Sequence, residues 1–166
     1  MNIGLILEHG IIGSVGLTLA LLIIGLKNPR LMLQDYPLSI RQSVPPKTAT
    51  EKRQTIWYGL PFLFIMFGYP LIAGTHFALQ NDWHFREILT FTWGITLFFN
   101  VYDLLILDWL IVCFITPKMV VIPGTEGNKG YKDYWFHFVG FLKGIAITLV
   151  MSLINSGIIE LIVHLK

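Results

Sequence analysis

The chain has 166 residues, 54% of them hydrophobic and 13% charged, with a formal net charge of +2 and a mean hydropathy of +0.65. An ordinary soluble domain carries about a quarter of its residues as charges, so this composition points instead to an all-α polytopic membrane protein. The basic residues are spread over several connections without interleaved aromatics, which argues against nucleic-acid binding, and the single cysteine, Cys113, leaves no intrachain disulfide or thiol-pair redox chemistry.

Spanning a bilayer takes about 20 apolar residues per helix. Four stretches qualify, at 3–26, 56–79, 88–116 and 135–165, separated by two long connections, 27–55 and 117–134, and one short one. They predict a single four-helix transmembrane domain, multi-pass in the cytoplasmic membrane. The first stretch lacks a basic leader and a small-residue cleavage pattern, so it is expected to remain in the mature protein. Lys27, Arg30, Arg41, Lys47, Lys52 and Arg53 in the first connection, and Lys118, Lys129 and Lys132 in the other long one, place both on the cytoplasmic side. Both termini then face outward.

Helix one carries Glu8 and His9 near its outer end. His9, Gly13, Gly16 and Ala20 form one stripe whose small residues let a neighbouring helix approach closely. In the first connection Pro37, Pro45 and Pro46 prevent one continuous helix. Its PRLMLQDYP piece is expected along the membrane interface with its leucines and Met32 toward lipid, while TATE at 48–51 reads as a capping box of Thr48 and Glu51 that starts helix two. Pro70 is expected to kink helix two below Tyr69 and His76 and to free backbone carbonyls.

Helix three contains NVYDLLILDW, residues 100–109. Thr92, Thr96, Asn100 and Asp103 follow at steps of four, four and three, which is one polar stripe on an α-helix. Asp108 lies five residues beyond Asp103, about 140° further round at 3.6 residues per turn, so the two carboxylates are expected to look in different directions. Each costs about 2.5–3.5 kcal/mol at mid-helix on the insertion scale. Such groups normally face a partner or a wet cavity. Counted at 1.5 Å per residue from the cytoplasmic ends, Asp108 and Lys143 of helix four lie at a similar depth of about 12 Å, which predicts an ion pair between them.

The second long connection reads PKMVVIPGTEGNKGYKDY. Gly124, Gly127 and Gly130 beside Lys129 and Lys132 suit a phosphate-bearing headgroup or other anion, with His137 in the following YWFHF belt as a further headgroup contact or gate. The spacing does not match a P-loop. The alternative is a flexible loop that meets anionic headgroups through charge alone.

Helix four ends with Glu160 and His164 one turn apart, the spacing by which a helix offers two ligands to one metal. With Glu8, His9 and His76 at similar depth, they form a candidate metal or proton-handling site, and a first-row transition metal is the cofactor that it would take. Haem is disfavoured by the lack of a C-x-x-C-H motif. The functional expectation is a small membrane-embedded enzyme or binding protein for a lipid-soluble or headgroup substrate, with Asn100, Asp103, Asp108 and Lys143 as catalytic candidates. A second reading is an oligomeric transporter or channel with Asn100 and Asp103 along the path and Asp108 with Lys143 as its gate. A third is a structural subunit of a membrane complex, in which the polar residues only join helices. The expected partners are the bilayer, anionic headgroups at the cytoplasmic connections and, in the transporter reading, further copies of the chain.

Overall fold

The computed structural model describes residues 3–165. It is helical throughout, with no strand among the described residues. Four helices are long and apolar enough to cross a membrane: α1 (Ile3–Lys27), α2 (Ala49–Asn81), α3 (Phe85–Ile115) and α4 (Tyr134–His164). Helix α2 starts earlier than its apolar run because the capping box forms. The Glu51 amide donates to Thr48 Oγ1 at 3.2 Å, and the Thr48 amide donates to Glu51 Oε2 at 2.8 Å.

Helix α3 packs against all three of the others. Its Phe91, Ile95 and Phe99 are buried with Leu17 of α1 and Ala73 of α2. The small-residue stripe of α1 makes this possible, because the Phe99 ring occupies the space that a Cβ on Gly13 would need, and Phe98 does the same at Gly10. Leu19 and Ile23 of α1 and Leu161 of α4 are exposed, as side chains facing lipid would be.

Within the four long helices, two segments depart from α geometry. In α2 the Phe64–Gly68 segment is a π turn, closed by the Tyr69 amide donating to Phe64 O. Pro70 follows directly and has no amide to give to Met66. One carbonyl of this turn is recruited by a neighbour, since Asn155 Nδ2 of α4 donates to Phe67 O at 3.0 Å. In α3 the whole stretch Asp103–Ile115 is π-helical, ending with the Thr116 amide donating to Ile111 O at 2.8 Å. Bonds between residues five apart bring round to one side groups that an α-helix would separate.

The two long connections fold together over one end of the bundle. Leu33, Tyr36 and Ile40 of the first form an apolar cluster with Ile122 and Tyr131 of the second. The Tyr36 hydroxyl donates to Val120 O at 2.8 Å, and the Ile122 amide donates to the Tyr131 hydroxyl at 2.9 Å. This corrects the expectation for PRLMLQDYP. Its leucines turn inward, with Leu31 only 1% and Leu33 7% exposed, because the second connection offers them an apolar partner. Lys47 Nζ holds the piece in place through Leu31 O, Gln34 Oε1 and Thr55 Oγ1.

Candidate functional site: a cavity beneath the connections

The polar stripe of α3 meets a matching stripe on α4. Thr92 Oγ1 lies 3.4 Å from Ser156 Oγ, Thr96 Oγ1 lies 3.3 Å from Ser152 Oγ, and Asn100 Nδ2 donates to Thr148 Oγ1 at 3.1 Å. The second amide hydrogen of Asn100 goes to Thr96 O at 2.9 Å. Its Oδ1 fills the place where a Cβ on Gly144 would stand. Thr148, Ser152, Ser156 and Asn155 were not singled out by the sequence reading. The signal was there, since Gly140, Gly144, Thr148, Ser152 and Ser156 repeat at four, the small-residue spacing by which membrane helices pack.

Beyond Asn100 the helices part around a cavity of about 950 Å³. Its wall is mainly apolar, drawn from all four helices, and the first connection adds Gln34, Asp35 and Tyr36. Asp103, Asp108, His137 and Lys143 also line it. The two aspartates therefore share one space, contrary to the expectation from α-helical spacing. The π register of α3 is the cause, because residues five apart there come round to the same side.

Asp108 is paired with His137, at 2.9 Å from Oδ1 to Nδ1, and not with Lys143. Depth alone misled here. At 100° per residue His137 lies about 20° from Thr148 around α4 and so shares the face turned to α3, whereas Lys143 lies about 140° away from Thr148. Lys143 is exposed at the cavity rim. His137 is buried, and its Nε2 has no hydrogen-bond partner among the described residues. Its expected role as a headgroup contact gives way to this internal pairing.

In the connection above, Asp35 accepts from Gln34 Nε2 at 2.8 Å. Burial pushes its carboxyl above the ordinary carboxylate range, Lys47 pulls it back, and Asp108 raises it further. Burial likewise raises the Tyr36 phenol and lowers the Lys47 ammonium.

Part of the expected anion site in the second connection is taken up by the chain itself. The Gly124 amide donates to both oxygens of Glu126, at 3.1 and 3.0 Å, in a turn where Gly124 and Gly127 adopt positive φ. Lys132 Nζ donates to Phe114 O at 2.9 Å and Thr116 Oγ1 at 2.8 Å, closing the end of α3. Lys129 is exposed.

At the opposite end the five metal candidates do not converge. Among the described residues no three His, Cys, Asp or Glu gather to hold a metal ion. His9 Nδ1 is 2.6 Å from the Tyr69 hydroxyl, with its ring edge-on to Phe77 and Phe91. His76 packs on Phe77, Glu160 and His164 pair with each other at 3.4 Å, and Glu8 is exposed. Similar depth did not bring similar direction, because aromatic side chains stand around His9. Comparison with protein-family models, curated proteins and solved structures finds no match to this chain.

Proposed function

We propose that this is a multi-pass protein of the cell membrane that holds a lipid-soluble molecule in the cavity, with the molecule's polar end against Asp103, Asp108 and His137. The cavity carries the reading. Its volume of about 950 Å³ matches small-molecule sites of roughly 300–1,000 Å³, which are likewise apolar with a few polar groups gathered at one place. The Asp108 carboxylate accepts from Nδ1–H of His137, which leaves Nε2 without a partner among the described residues. That arrangement supports a membrane-embedded enzyme or binding protein, with Asp108 as a positioning residue. The bonds from Asn100 to Thr96 and Thr148 support a helix-joining role for that residue. The basic residues of both long connections support termini outside and connections inside.

Two glycines on the cavity wall allow a direct test. A Cβ at Gly59 or Gly140 would meet nothing within 4 Å, so Gly59→Trp and Gly140→Trp each start a bulky side chain from an open position on the cavity wall. Mass spectrometry of lipid extracts from the detergent-purified protein should find a retained lipid-soluble species with the wild type and lose it with both variants. Equal content in all three proteins would overturn the reading. For the orientation, a cysteine at Asp82 should be labelled from outside the cell and one at Lys129 should not; the reverse pattern rejects it.

A further inference from the structure

Asp103 lies within electrostatic reach of Asp108, His137 and Asp35 but shares no hydrogen bond with any of them. Asp108 is held by His137 at 2.9 Å, and Asp35 accepts from Gln34 with Lys47 close enough to act on it. The Asp103 carboxylate has no hydrogen bond or ion pair among the described residues, although it lies in a helix apolar enough to cross a membrane. Ionisable groups at such positions ordinarily have a partner. Among the described residues the one basic side chain lining the cavity other than histidine is Lys143, which stands on another face of α4.

We infer that the molecule held in the cavity is a lipophilic amine, an ammonium group on an apolar body with no anionic group of its own. The inference deepens the lipid-soluble reading above and rests on it. Three carboxyl groups, Asp35, Asp103 and Asp108, line one space from two separate parts of the chain, so an anionic or phosphate-bearing molecule would find acidic groups there in excess of basic ones. A single metal ion does not answer this arrangement, because no three metal-ligating side chains gather among the described residues. An alkylammonium needs only one of them, since an N–H of its head can donate to Asp103 alone. Its chain then lies along Leu17, Leu21, Met66 and Ile111, which belong to the same wall.

The experiment is a thermal-shift titration of the purified protein in a nonionic detergent near pH 7, with decylamine, decanoate and decanol as probes of equal chain length. Decylamine should raise the Tm, and decanoate should leave it unchanged. Asp103→Asn should weaken decylamine binding by about tenfold or more, the loss expected when a hydrogen bond between charged groups is removed, while Asp103→Glu should retain most of it. Gly140→Trp should abolish the shift. Decanoate or decanol binding as well as the amine, with that binding lost in Gly140→Trp, overturns the amine inference and leaves the lipid-soluble reading standing. Absence of binding by all three probes overturns the inference and counts against the reading with it. Amine binding that survives Asp103→Asn at full strength overturns the assignment to this carboxylate, and decylamine shifts in wild type and Asp103→Glu that differ only as in Asp103→Asn do the same.

Discussion

The interface between α3 and α4 changes character halfway along its length. From Thr92 to Asn100 each polar side chain of α3 meets one on α4, and the steps of four on both helices keep the pairs opposite one another. From Asp103 onward α3 takes the π register while α4 continues as an α-helix. The repeat on α4 then presents Gly144 and Gly140, and the polar groups opposite are left to a cavity. Matched helical periods make a seam in which polar groups hold helices together. A mismatch between them makes room, and the carboxylates in that room keep binding capacity for something else.

The sharpest way to break this comparison uses the two glycines, one turn apart on one helix. Gly144→Leu must displace Asn100, whose Oδ1 stands where the new Cβ would be, and overpacking of this kind costs about 1–3 kcal/mol. Gly140→Leu enters open space and replaces a poor helix former, so it should be neutral or stabilise by up to about 1 kcal/mol. Reversible unfolding of the two variants in one detergent checks both signs. Similar losses at the two positions would mean that the cavity face is packed as tightly as the seam.

An effect of similar size tests the Asp108–His137 pair. Asp108→Asn removes the charged partner of a buried imidazole and should destabilise by about 1–3 kcal/mol. In a His137→Phe background the same substitution should cost clearly less, as a double-mutant cycle would reveal. Lys143→Met, at an exposed position, should stay within about 0.5 kcal/mol of wild type. A large loss from Lys143→Met, coupled to Asp108, would restore the pairing that depth alone suggests.

What the sequence disclosed follows the same division. The four spans were legible because hydropathy needs no neighbour to be read, and the Thr48–Glu51 capping box was legible because all its atoms lie within four residues. The Thr92, Thr96 and Asn100 stripe was legible for α3, but its partners required the equivalent repeat of α4 to be read alongside it. The pairing of Asp108 failed because depth was compared without the angle around the helix axis. The shared direction of Asp103 and Asp108 was invisible, since a π register leaves no mark in hydropathy. At the expected anion site the competing group is local: Glu126 lies two residues from Gly124 and takes its amide.

The smallest expected effect concerns Asp35, where the first connection meets the cavity. Burial holds its carboxyl above the ordinary value of 3.8, Lys47 and the Gln34 hydrogen bond oppose that, and Asp108 adds to it. The folded protein therefore binds this proton more tightly than the unfolded chain does. Stability from this group is fully present below the unfolded value and is lost as pH rises through the higher folded value; above both, the ionised carboxylate bears a desolvation that Lys47 and Gln34 offset only in part. Asp35→Asn removes the ionisation and keeps an oxygen to accept from Gln34 Nε2. The variant should thus have a slightly higher Tm than wild type near pH 7, with the difference shrinking as pH is lowered toward 4. Melting curves of the two proteins across that interval give the comparison directly. A Tm gain that does not change with pH would assign the effect to shape, and a loss near pH 7 would mean that Lys47 outweighs burial and that the carboxylate is held as a charge.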